Sequence, residues 1–189
     1  MAVEVVYETH STSVDNERGI ATGWLDGELS ERGREQAREL GGRRWNDGIS
    51  AVYVSDLGRA VETAQIAFAR SPIPVHQDTR LRECDYGELN GAPVEEVTAV
   101  RSAHIDEPFP GGESYRQVVE RTRSLLDELA AAHDGERILL IAHSANRWAL
   151  EHLIDGKPLE ELVAAPFDWQ EGWLYLLRAN ASSSSAVIE

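Results

Sequence analysis

Two histidines and an arginine, far apart in the chain, stand at equivalent places in its pattern of elements: His10, Arg59 and His143. A neutral imidazole is a nucleophile near pH 7, and a guanidinium stabilises an oxyanion through paired N–H bonds. Together they suit chemistry at an anionic centre such as a phosphate. Taken singly, each has a plainer reading. A lone histidine is more often structural or solvated than catalytic, and Arg59 could be a helix-surface residue. What joins them is placement. His10 follows the first strand-like segment, Ser55 and Arg59 follow the second, and His143 follows the most apolar one.

Those segments define the elements that must position the set. Val3 to Tyr7 is short and β-rich, and Ala51-Val52-Tyr53-Val54 is a second strand; Ile73 to His76 reads as a third. Arg137 to Ala142 is apolar on both faces and therefore central, and Trp173 to Leu177 reads as the last strand. Between them lie helices. One starts at the N-cap Ser30 with Ala37, Leu40 and Trp45 as its apolar stripe, and one runs from about Leu57 to Arg70. Another is capped by Ser114 and Gln117, with Val118, Thr122, Leu125 and Leu129 at helical spacing, and a last runs from about Arg147 to Ile154. The stretch from Arg82 to Pro110, with its glycines and prolines, reads as an irregular excursion. Strands alternating with helices predict an α/β fold, a three-layer α/β/α sandwich with a mostly parallel central sheet. Ligands of such sheets bind outside the C-terminal strand ends, where His10, Arg59 and His143 fall.

Composition sets the remaining bounds. The 189 residues suit one domain, over 1–179, with a Ser-rich, disordered tail at 180–189. No apolar run approaches the roughly 18 residues that span a bilayer, and the N-terminus lacks the features of a leader, so no membrane association and a cytoplasmic location are expected. Cys84 is the only cysteine, which excludes an intrachain disulfide and a multi-cysteine zinc site. The net charge of −15 argues against nucleic acid as a partner. It would also repel an anionic substrate, so a phosphate site here must work through local arginines and backbone N–H groups. Oligomeric state is not legible.

The motifs around these residues make the chain similar to the histidine phosphatase superfamily, of phosphoglycerate mutase-like fold, from Val3 to about Arg178. Ser55-Asp56-Leu57-Gly58-Arg59-Ala60-Val61-Glu62-Thr63-Ala64 resembles the family's Ser-x-Leu-x-Arg-Ala-x-x-Thr-Ala segment. Leu81 to Gly87 resembles the loop with the family's acid, placing Glu83 there, and Gly111-Gly112-Glu113-Ser114 and Ile141-Ala142-His143 match two further segments. Asn16, with Gly19 and Gly23, matches a phosphate-contacting stretch, and Tyr86 and Arg101 resemble substrate-contacting places in phosphoglycerate mutases. The resemblance implies a phosphohydrolase acting on a small phosphorylated molecule. His10 would be the nucleophile, Arg59 and His143 would stabilise charge, and Glu83 would protonate the leaving group and then activate water. It implies no metal and no cofactor. Zinc ligation by His10, Glu83 and His143 has no spacing to support it.

The chain departs from the family at its defining motif. Arg-His-Gly is replaced by Thr9-His10-Ser11, and Ser144 follows His143 where glycine is usual. Losing a bidentate clamp costs on the order of 2 to 4 kcal/mol of transition-state stabilisation unless it is replaced. Another arginine could reach the site, from Arg18, Arg82, Arg101 or Arg147, or the Thr9 and Ser11 hydroxyls could bind phosphate without charge. Thr9, Ser11, Asn16, Gly23, Tyr86, Arg101 and Ser144 are accordingly the expected substrate contacts. A phosphoglycerate mutase-like phosphotransferase and a catalytically weak phosphate-binding relative are the alternatives.

Overall fold

In the computed structural model, which describes residues 1–178, strands and helices alternate from the start of the chain. β1 (Val3–Thr9) leads to a short α1 (Val14–Arg18) and a two-residue β2 (Ile20–Ala21), followed by α2 (Glu31–Arg44), β3 (Ala51–Val54), α3 (Gly58–Ala67) and β4 (Val75–Gln77). Then come β5 (Ala92–Pro93), α4 (Val94–Val100), α5 (Tyr115–Ala132), β6 (Arg137–Ala142), α6 (Ser144–Asp155), α7 (Leu159–Ala164) and β7 (Trp173–Leu177). The main sheet has the order β4-β3-β6-β1-β7. Its strands are parallel except β7, which runs antiparallel against β1 at the edge.

β6 holds the centre because both its faces are apolar. Ile138 and Leu140 pack with Val5, Tyr7, Leu125 and Leu129 under α5. Leu139 and Ile141 pack with Val6, Leu40, Val52 and Ala60 under α2 and α3. This is the expected three-layer arrangement, with alternate residues of one strand feeding two cores. A third apolar cluster, including Tyr86, Val97, Phe109, Tyr115, Trp148 and Leu159, lies where α4 to α7 meet. It walls one side of the space beyond the strand ends.

Several local expectations need correction. Trp45 does not extend the buried stripe of α2; it is 56% exposed, and the buried face is Gly33, Ala37, Leu40 and Gly41. Trp45 is the C-cap residue of that helix, past the last turn that faces the sheet. The stretch from Arg82 to Pro110 is not irregular throughout: β5 pairs with β2, α4 follows, and 3₁₀ turns occupy Gly87–Leu89 and Arg101–His104. α1 and α7 were not anticipated; at 5 and 6 residues they are too short for apolar periodicity to reveal. No described helix is long and apolar enough to cross a membrane. The expected tail at 180–189, and the domain boundary at 179, lie outside the described residues.

Candidate active site

Sheet register brings the site together. Thr9 stands opposite Ala142 in the β1–β6 ladder, and His10 N–H extends that ladder by donating to the Ala142 carbonyl at 2.9 Å. On the other side of β6, Ser55 N–H donates to the Ile141 carbonyl at 3.1 Å. Three strand ends are thus bonded side by side, and the rings of His10 and His143 lie 5.0 Å apart between centroids.

The tautomer of His10 follows from its contacts. Nδ1 lies 2.8 Å from the Ser11 carbonyl, an acceptor only, so Nδ1 carries the proton and Nε2 keeps its lone pair. That lone pair faces Arg59, whose Nε donates to it at 3.3 Å. Burial and then the Arg59 charge push the His10 pKa down to about 3, so the ring is neutral at physiological pH. His143 is fully buried between Ser55 Oγ, 2.9 Å from its Nε2, and Arg59 Nη2, 3.3 Å from its Nδ1. Burial, Arg59 and His10 hold its pKa well below the usual imidazole range. In the unliganded protein His143 is therefore neutral, and the positive charge beside His10 belongs to Arg59.

Much of the segment from Ser55 to Thr63 serves this geometry. Ser55 meets His143, and Asp56 holds Arg82 through bonds of 2.8 and 2.6 Å. Arg59, at the start of α3, also donates to the Gly23 carbonyl at 2.9 Å. Glu62 accepts from the N–H of Leu29 and from Arg34. Thr63 Oγ1 accepts from Ser11 N–H at 3.0 Å and donates to the Arg59 carbonyl at 2.8 Å, linking the loop after β1 to α3. Ser11 gives its backbone N–H and carbonyl to these links, and it borders a small hollow behind Thr9 rather than the main cavity.

Glu83 arrives on a loop fixed by its backbone. Its carbonyl accepts from Trp24 Nε1 at 2.7 Å and from Arg121 Nη2 at 3.0 Å. Arg121 is itself clasped by Glu113 of the Gly-Gly-Glu-Ser turn. A Cβ on Gly112 would stand 2.2 Å from the Asp85 carbonyl, so that glycine serves the close approach of turn and loop. The Glu83 carboxylate accepts from Cys84 N–H at 2.8 Å and Ala145 N–H at 3.3 Å on Oε1, and from Ser144 Oγ at 3.0 Å on Oε2.

All four proposed catalytic side chains border one cavity of about 560 Å³. Thr9, Asn16, Gly23, Tyr86, Arg101 and Ser144 border it too. Asn16 Oδ1 accepts from Ser13 N–H in a capping box, and its Nδ2 makes no bond within the described residues. Of the four arginines considered as replacements at position 9, only Arg101 reaches the cavity. Arg82 is held by Asp56, Arg147 pairs with Glu151 at 3.0 Å, and Arg18 points to solvent at the end of α1. Sequence reasoning missed Thr22, Arg32, Gln36, Tyr115 and Trp148, all of which line the cavity. Gly19 and Gly23, already singled out, were the nearest signal for Thr22; nothing local marked the others.

Comparison with known proteins shows what the chain as a whole is similar to. The profile of the histidine phosphatase superfamily (branch 1) matches residues 9–182. A 2,3-bisphosphoglycerate-dependent phosphoglycerate mutase of Parvibaculum lavamentivorans is 32% identical over 175 residues, covering 85% of this chain and 83% of that protein. Phosphoserine phosphatase 1 of Hydrogenobacter thermophilus is 32% identical over 157 residues, covering 78% and 74%. Among solved structures, the mycobacterial glucosyl-3-phosphoglycerate phosphatase complexed with VO3 superposes with a TM-score of 0.77 at 29% identity, covering 86% of this chain and 87% of that one.

Proposed function

Because the chain belongs to the histidine phosphatase superfamily, we propose that it hydrolyses a small phosphomonoester through a phosphohistidine at His10. The observation that carries this reading is the tautomer lock: Nδ1–H is bound to the Ser11 carbonyl, and Nε2 is left unprotonated beside Arg59 in a cavity shared with Glu83.

The Nε2 lone pair attacks phosphorus while the bond to the leaving oxygen breaks and its electron pair stays on that oxygen. Glu83, as general acid, gives the departing oxygen its proton. A water then attacks the phosphohistidine, and the Glu83 carboxylate takes the proton it sheds. The N–P bond breaks, its electron pair returns to Nε2, and orthophosphate leaves. Arg59 is aimed at the charge that accumulates on the non-bridging oxygens, and Thr9 and Asn16 supply neutral donors.

Phosphate release from a panel of phosphomonoesters by the wild type and His10→Ala tests the reading. His10-dependent release from at least one is expected. Ligand-induced thermal stabilisation with no release from any would point instead to a binding protein that kept the pocket. The 32% identity to a mutase favours a second reading, phosphoryl transfer within a phosphoglycerate-like substrate. Interconversion of phosphoglycerate isomers followed by NMR would establish it over hydrolysis.

A further inference from the structure

Position 9 is a threonine, so a second cation at the phosphate has to come from another element. Three arginines line the cavity, Arg32, Arg59 and Arg101, and none pairs with a carboxylate within the described residues. Arg18, Arg38, Arg70 and Arg123 also lack a carboxylate partner within the described residues, but they lie outside the cavity. Arg34, Arg44, Arg80, Arg82 and Arg121 are each held by a carboxylate within 3.1 Å. Arg59 is already bound to His10. Arg101 donates to the Ala164 and Ala165 carbonyls and lies over the Trp148 ring, on the wall formed by α4 to α7. Arg43 borders a small hollow behind Thr9 but lies 3.6 Å from Glu8 and 3.9 Å from Glu171.

Arg32 differs from all of these. It sits in the first turn of α2, is exposed, and its side chain makes no hydrogen bond within the described residues. That turn lies directly on the loop after His10. Ser30 N–H donates to the Thr12 carbonyl at 3.0 Å, and Gly33 is so close that a Cβ there would stand 1.9 Å from the same oxygen. Gln36 accepts from Thr12 N–H at 3.0 Å. Arg32 and Gln36, one helical turn apart, share a face and both border the cavity beside Thr9, His10, Thr12 and Asn16.

We propose that Arg32 is the second phosphate-binding cation of this site, delivered from α2 in place of the arginine absent before His10. The proposal rests on the phosphatase reading of the same cavity. Arg32 is free and hydrated until an anion arrives, and it then closes on the non-bridging oxygens from the side opposite the wall that carries Arg101. The site thereby keeps two guanidinium groups near the phosphate while leaving position 9 small.

Orthovanadate affinity and phosphate release, measured on the wild type, Arg32→Ala, Arg38→Ala and the Arg32→Ala/Thr9→Arg double variant, test it. Arg32→Ala is expected to weaken orthovanadate binding about tenfold or more, the loss typical of a charge-assisted hydrogen bond, with an unchanged unfolding temperature. Arg38, exposed on the same helix but outside the cavity, is expected to leave both readings unchanged. Thr9→Arg is expected to recover part of the lost affinity. Wild-type orthovanadate affinity in Arg32→Ala overturns the proposal, and if His10-dependent turnover is present the phosphatase reading still stands. Weakened binding in Arg32→Ala without turnover of any phosphomonoester upholds the role of Arg32 and overturns the phosphatase reading instead.

Discussion

Ser144 Oγ donates to Glu83 Oε2 across a gap of 3.0 Å, joining the residue after the second histidine to the proposed acid. A hydroxyl can donate to a carboxylate and, after rotation, accept from a carboxylic acid. Ser144 can therefore stay bonded to Glu83 as the latter gains and loses its proton, which a glycine at this place could not do.

Ser144→Ala and Ser144→Gly are accordingly expected to lower kcat by about tenfold or more, the worth of one hydrogen bond to a charged group, with little change in KM. Steady-state kinetics on any substrate the wild type hydrolyses gives the two constants. An unchanged kcat would mean that the backbone N–H groups of Cys84 and Ala145 suffice to hold Glu83.

Removing Arg59 should be far more costly. The guanidinium is buried, bonded to His10, and close to His143, so Arg59→Ala is expected to reduce kcat by about 10²–10³. The same change relieves His10 of one of the two causes that lower its pKa. Titration of His10 by NMR should place its pKa higher in Arg59→Ala than in the wild type.

Stability should fall with acid through the same histidine. An unfolded His10 takes up its proton near pH 6.5, whereas the folded one does so near pH 3. Between those values the unfolded state binds more protons, so the free energy of unfolding decreases as pH falls. His143, also shifted downward, acts in the same direction. Urea unfolding of the wild type and His10→Gln at pH 7 and pH 4.5 should show a shallower loss in the variant.

Two glycines of α2 should respond to alanine with opposite signs. Gly42 faces open space, so alanine there is expected to stabilise by about 0.5 to 1 kcal/mol through helix propensity alone. At Gly33 the added Cβ would meet the Thr12 backbone, and overpacking of this kind costs about 1 to 3 kcal/mol. Chemical denaturation measures both. The Gly33 variant should also lose activity, because the displaced loop carries His10.

What the sequence disclosed, and what it did not, follows the range of the interactions involved. The run Arg137 to Ala142 announced a central strand because burial on two faces demands an unbroken apolar segment. His10, Ser55 and His143 could be placed at strand ends along one edge of the sheet from that pattern alone, whereas the adjacency of β3, β6 and β1 appears only in the sheet order. α4 was hidden: Val94, Val97 and Val100 have helical spacing, but the element spans 7 residues and buries only Val97. Pro93 at its N-cap and Glu95 and Glu96 in its first turn were the available signals. Arg32 was illegible for another reason. Its place depends on how closely α2 docks on the Thr12 backbone, which the absence of a side chain at Gly33 permits but does not announce.

The phosphoenzyme itself offers the most direct test of the central claim, that His10 carries the transferred group. Rapid acid-free quenching of the wild type with a turned-over phosphomonoester, followed by peptide mass spectrometry, should find one acid-labile phosphoryl group on His10. Given a phosphomonoester whose acidic leaving group needs no protonation, Glu83→Gln should accumulate it, because water activation is then the step that is slowed. Turnover with no phosphoryl group on His10 in either protein, or its appearance on another residue, would contradict the account.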